Sequence, residues 1–238
     1  MTTLAVGLAT INVSPMKRTV IPELLDSDSG TPDEIGVALS DLRRINHWFG
    51  GIATTESMIE YVAGETGQRS LSLLEVAGGS GDVPRGISKR LQPRGIRIDA
   101  TLLDRAVSHL KHRNNGIQAV GGDALALPFA DGSFDLVSCC LFAHHLLPDE
   151  LIRCVNEGLR VCRVGVLIND LVRQRLHLAL VYAGWPLYRS RLTRHDAPAS
   201  VRAAYTPKEM TKILKGTSAR EVVMRRRYLF RIGVVVWK

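Results

Sequence analysis

Cysteine is scarce. The chain has four in 238 residues, Cys139, Cys140, Cys154 and Cys162, with no C-x-x-C spacing. That excludes a disulfide scaffold and offers no zinc-ligand pattern, so no metal is expected. Reduced thiols suit a reducing compartment, and a cytoplasmic protein is expected. Long apolar runs are missing too. None reaches the ~18 residues of a membrane span. The longest candidate, residues 176–188, is broken by His177 and Pro186. Residues 1–16 carry no charged side chain, so the positive start of a signal peptide is absent. We expect the first fifteen residues to be an extension from an upstream start, outside the fold. There is no internal repeat and no low-complexity tract.

What remains is the composition of one globular domain, with 45% hydrophobic and 23% charged residues. The net charge is +8, from 31 Lys+Arg against 23 Asp+Glu. Such a balance admits nucleic acid, acidic lipid, an anionic substrate or simply an arginine-rich solvated surface.

Local signals divide the chain. Residues 1–30 read as an N-terminal extension, partly disordered, and 31–238 as a single domain. Thr31-Pro32-Asp33-Glu34 is a capping box that opens a helix through Ala38, Leu39, Leu42, Ile45 and Phe49, ended by Gly50-Gly51. A second helix is predicted over 55–63, and 31–66 form a helical cap. Strands are predicted at 71–76, 96–103, 118–120, 134–140 and 164–168. Helices are predicted between them at 83–91, 105–113 and 148–161. Alternating strands and helices imply crossovers and a parallel sheet. Continuous apolarity along the strands agrees, because both faces are covered. Residues 171–205 read as a lid insertion: an apolar stretch at 176–187, then a polar loop at 190–200. Thr206-Pro207-Lys208-Glu209 caps a last helix, which Gly216 ends. The strands at 221–225 and 228–237 have no room for a crossover and must pair antiparallel.

The sharpest chemical signal is Glu75-Val76-Ala77-Gly78-Gly79-Ser80-Gly81-Asp82, between a strand and a helix. Glycines there allow positive φ and close approach to a ligand. The spacing departs from the G-x-G-x-x-G of dinucleotide folds. Glu75 before it would repel a pyrophosphate and suit a cationic ligand. Asp104 ends the second strand, where an acid accepts hydrogen bonds from ribose hydroxyls, and Asp123 follows the third. Any one of these acids is equally a helix cap or turn residue. Three at successive strand ends converge on one crevice.

With Leu103-Asp104, Gly122-Asp123-Ala124 through Pro128-Phe129, and Gly132-Ser133-Phe134-Asp135, this glycine motif resembles the class I S-adenosylmethionine-dependent methyltransferases. The likeness runs from about Arg43 to Lys238. It implies a Rossmann-like seven-stranded α/β sheet, mostly parallel with an antiparallel last strand and helices on both faces, and S-adenosyl-L-methionine as cofactor. It implies Glu75 near the methionine amino group, Gly78, Gly79 and Gly81 passing close to the cofactor, Asp104 on the ribose and Asp123 on the adenine amine. Ala77, Arg105, Ala124 and Cys140 complete the implied cofactor set. Ala77 stands where the family pattern has its first glycine. Residues 127–135 resemble the branch that includes ubiquinone and menaquinone methyltransferases. Residues 22–30, 46–51, 141–146 and 194–196 are similar to bacterial methyltransferases found beside type III polyketide synthases, which act on phenolic lipids. The connection at 216–220 is short for that group and implies a trimmed pocket rim.

Methyl transfer to a phenol gains from a base. His145 is the favoured candidate, with His144 beside it and His195-Asp196 as a third option. Adjacent side chains are expected to diverge, so one of the first two serves at most. Trp48, Phe142, Trp185, Tyr188 and Tyr205 are the expected acceptor contacts. The expected activity is O-methylation of an apolar phenolic or quinol-type small molecule. C-methylation of a quinone-like or polyketide substrate and an RNA-binding protein on the same fold are the alternatives. The Asn/Asp-Pro-Pro-aromatic run of nucleobase methyltransferases is absent after residue 140, which disfavours nucleic acid. A second copy of the chain is an open option as partner.

Overall fold

The computed structural model describes residues 16–27, 29–110, 117–227 and 230–238. Two helices come first, α1 (Pro32–Trp48) and α2 (Gly51–Thr66). The Thr31 hydroxyl accepts the Glu34 N–H while the Glu34 carboxylate accepts the Thr31 N–H, so the predicted capping box forms. Then follow β1 (Ser70–Val76), α3 (Asp82–Leu91), β2 (Arg97–Asp104), α4 (Val107–Leu110), β3 (Gln118–Gly121), β4 (Phe134–Cys140), α5 (Pro148–Val161) and β5 (Cys162–Leu171). The chain ends with α6 (Arg175–Ala183), α7 (Arg191–Ala203), α8 (Pro207–Leu214), β6 (Glu221–Arg227) and β7 (Arg231–Trp237).

The seven strands lie in the order β3-β2-β1-β4-β5-β7-β6. β1 to β5 are parallel, and β7 runs antiparallel to both β5 and β6. Chain order reverses between β1 and β4, and ligands bind at the carboxyl ends of strands at such a point. Side chains alternate between two cores. Leu74, Val76, Val137 and Ile168 face α5 and α8, while Leu71, Leu73, Leu136 and Leu167 face α2 and α3.

A third, smaller core joins Ile35, Ala38 and Leu39 of α1 to Leu192 of α7, with Leu24 and Leu25 against them. Two expectations change here. The predicted polar loop at 190–200 is helix α7. Pro198 lies inside it, and the proline together with Ser190 and Asp196 gave the segment the composition of a loop. The buried carboxylate of Asp41 accepts the N–H groups of Arg189 (2.8 Å) and Ser190 (3.0 Å) and so anchors the start of α7 from another helix. Residues 16–27, read as extension, lie against the domain: Arg18 donates to the carbonyls of Ala203, His144 and Leu146, and Asp196 accepts the N–H of Leu24 and Leu25. Of the predicted helix at 105–113, α4 covers Val107–Leu110, and 111–116 lie outside the described residues, as do 1–15.

Candidate active site

One cavity of about 630 Å³ opens at the carboxyl ends of β1, β2 and β4, roofed by α1, α6 and α7. The β1 end supplies a tight turn. Ala77, Gly79 and Gly81 all have positive φ, at 53°, 49° and 71°. A Cβ at Gly78 would be crowded, 3.0 Å from the Leu102 side chain and 3.1 Å from the Glu75 carbonyl oxygen. Gly81 does not line the cavity; it caps α3 and packs against Leu102.

The acids sit where the strand ends place them. Asp104 accepts the Gly79 N–H and the Ala106 N–H, both at 2.9 Å, which ties the end of β2 to the glycine turn. Asp123 accepts the Leu125 N–H at 2.9 Å. Glu75 is 2% exposed and accepts the Ser138 hydroxyl at 2.6 Å. Burial pushes its carboxyl up to about 7, against the Ser138 and Cys140 hydrogen bonds. Among the described residues no cation pairs with it. A buried carboxylate of this kind is matched by an ammonium ligand. With the glycine cradle beside it, the crevice fits the amino end of S-adenosylmethionine. Arg105, Ala124 and Cys140 also line the cavity.

The same cavity also has apolar walls, including Leu39, Leu42, Phe142, Val181, Leu187 and Tyr188. The cavity is also lined by an acid–imidazole cluster. His144 is buried between Asp170 (Nδ1 to Oδ1, 2.7 Å) and Glu23 (Nε2 to Oε1, 3.4 Å). Burial opposes its charge, but the Asp170 and Glu23 carboxylates prevail and raise it to about 10. His145 pairs through Nδ1 with Asp26 at 2.7 Å, and its Nε2 is 3.9 Å from Glu23. The two imidazoles do not diverge. They occupy a 3-10 turn, and their ring centroids are 4.2 Å apart.

The cavity brings together Glu75, Ala77, Gly78, Gly79, Asp104, Arg105, Asp123, Ala124, Cys140, His144, His145, Trp48, Phe142 and Tyr188. Besides Gly81, it leaves out three of the expected residues. His195 is on α7, outside the cavity, with Nδ1 on Asp196 at 2.8 Å. Trp185 is 48% exposed and packs edge-on against Tyr182. Tyr205 is buried, donates its hydroxyl to the Leu146 carbonyl and carries the Arg18 guanidinium over its ring. Sequence reasoning missed Glu23, Asp26, Asp170 and Arg231. The first two stand in a segment set aside as extension, and the others gain their meaning only from distant partners.

Residues 74–168 match the family described as a methyltransferase domain. That stretch is a methyltransferase domain, set in the fold of class I S-adenosylmethionine-dependent methyltransferases. Among similar proteins is the ubiquinone/menaquinone biosynthesis C-methyltransferase UbiE of Roseobacter denitrificans, 37% identical over 143 residues, which are 56% of this chain and 53% of that protein. The Paracoccus denitrificans UbiE is 37% identical over 120 residues, covering 46% and 44%. The chain thus spans about half the length of the curated relatives it matches. A solved structure of the plantazolicin methyltransferase BpumL, in complex with a monoazolic desmethylPZN analog and SAH, shares the fold at a TM-score of 0.66 and 17% identity, covering 91% of this chain and 94% of that one. Among the described residues no helix is long and apolar enough to cross a membrane.

Proposed function

We propose that the chain methylates an oxygen of an apolar phenolic or quinol-type small molecule. The observation that carries this reading is the continuity of the cavity. The glycine turn, the strand-end acids, apolar side chains and the His145–Asp26 pair all line the same cavity. The bound cofactor supplies an electrophilic methyl group on a sulfonium sulfur, so the protein's task is alignment and proton removal. Glu75 holds the amino group, Asp104 the ribose hydroxyls and Asp123 the adenine amine. Gly78 and Gly79 let the backbone lie close, and Ala77, Arg105, Ala124 and Cys140 line the same end. Phe142, Tyr188 and Trp48 receive the acceptor ring. His145 takes the hydroxyl proton, oriented by Asp26, while His144 fixes the turn as part of a charged triad.

C-methylation of a quinone-like ring is a second reading, favoured by the similarity to proteins named as C-methyltransferases. Mass spectrometry separates the two. Incubation with S-adenosylmethionine and a set of alkylresorcinols and quinols is expected to give a +14 Da product whose new methyl group is lost on ether cleavage. A product that resists ether cleavage supports C-methylation. No product from any phenol or quinol, with turnover of sugars, amines or RNA, overturns the acceptor class.

A further inference from the structure

Arg231 begins β7, is 1% exposed and lines the cavity. Its guanidinium is held only by neutral groups. Nε donates to the Phe49 carbonyl at 2.6 Å and Nη1 to the Asn169 Oδ1 at 3.1 Å; Nη1 reaches Cys140 Sγ at 3.9 Å and Nη2 reaches Asn46 Oδ1 at 3.4 Å. Among the described residues no carboxylate pairs with it. Five N–H donors therefore meet two good acceptors and two distant ones. A permanently charged group out of water without a counter-ion is unfavourable, and a structural clamp between strand and helix would need no charge. The charge is felt nearby: His177 is held below the usual imidazole range by burial first and then by Arg231. Arg231 also follows Phe230, which has a φ of 64°. Ala77, Leu141 and Phe230 are the non-glycine residues with positive φ among those described, and all three line this cavity. Such strain is kept where surrounding structure holds a ligand site in shape.

We propose that Arg231 is an anion-binding residue whose partner is an ionised oxygen of a ligand in this cavity. The reasoning rests on the methyltransferase reading of the site. Two ligand groups there have that chemistry, the carboxylate of the cofactor's amino acid end and the ionised hydroxyl of a phenolic acceptor. In the first case Glu75 and Arg231, one unpaired buried acid and one unpaired buried base, together match a zwitterion. In the second, Arg231 favours the phenolate and raises its concentration at neutral pH. Contact with Cys140, the last residue of β4, puts the guanidinium at the strand end where both groups meet.

Two binding measurements test this without turnover. Calorimetry compares S-adenosylhomocysteine with its decarboxylated analogue on wild type and Arg231→Met. Loss of about 10- to 100-fold in affinity for S-adenosylhomocysteine, with the analogue unaffected, assigns the cofactor carboxylate. Absorbance titration of bound 4-nitrophenol reads the second source. A phenol pKa lowered in wild type and restored in Arg231→Met assigns the acceptor oxygen. Arg231→Lys is expected to recover part of either effect, which loss of a mere clamp would not predict. Arg231→Gln, which retains donors to Phe49 and Asn169, replaces the methionine variant if that fails to fold. If the neutral variants fold, bind both cofactor ligands like wild type and leave the nitrophenol titration unmoved, Arg231 is a clamp and the proposal is overturned. If wild type itself binds no S-adenosylhomocysteine, the reading of the site as a methyltransferase fails instead.

Discussion

Glu75 places a stability cost inside the binding site. Its carboxyl is raised from 4.5 to about 7 by burial, a difference of about 3 kcal/mol. A raised value means the contribution is favourable below the unfolded value and is lost as pH rises through about 7. Glu75→Gln is therefore expected to raise the melting temperature of the ligand-free protein above pH 7 while weakening cofactor binding. Wild-type affinity for S-adenosylhomocysteine is expected to increase from pH 6 to about 7.5, as the carboxylate ionises and before an α-amino group loses its proton. Calorimetry across that range checks both, and the glutamine variant is expected to show a flat profile. Ala77 is a second local case. At a φ of 53° its Cβ is strained, and Ala77→Gly is expected to stabilise by about 0.5–1 kcal/mol in chemical denaturation. The adjacent histidines are expected to separate by role. His145→Ala is expected to lower kcat by about 10²–10⁴ with little loss of stability. His144→Ala is expected to cost about 3–5 kcal/mol, because it leaves Asp170 buried without its partner.

At the scale of elements, the capping boxes and crossover strands were legible because their signals lie within a few residues. Thr31 with Glu34 and Thr206 with Glu209 close within one turn. Helix α7 was not legible. Its interior proline argued for a loop, and its start is anchored by Asp41, 148 positions before Arg189. Asp41→Ala leaves the N–H of Ser190 buried and unpaired, and is expected to destabilise by about 1–3 kcal/mol in urea denaturation. Gly216 was read as a helix terminator by conformation. The structure places it directly after the C-cap Lys215 of α8, where a Cβ would also meet the end of the Ile152 side chain at 2.9 Å.

At the scale of the whole molecule, the Asp170–His144–Glu23 triad joins β5, the turn after β4 and the segment before α1. His144 is raised to about 10, so its stabilising contribution is present below pH 6.5 and lost as pH rises through about 10. Asp170, lowered by His144 against burial, loses its contribution on the acid side. Thermal melts are expected to show an alkaline fall that is reduced in His144→Ala. What the sequence by itself determined was the sheet, its parallel core with an antiparallel end, and the three acids that line one crevice at the strand ends. Each of these is written in local periodicity or at a strand end, where one residue's position follows from its own strand. The acid–imidazole cluster and the setting of Arg231 were decided only by tertiary structure. Glu23, Asp26, His144, His145 and Asp170 come from three separate stretches of chain, and Arg231 on β7 reaches Asn46, Phe49, Cys140 and Asn169 far away in the sequence. A charge pair between distant residues leaves no spacing in the sequence, because its energy depends on separation in space and on exclusion of water, and folding sets both.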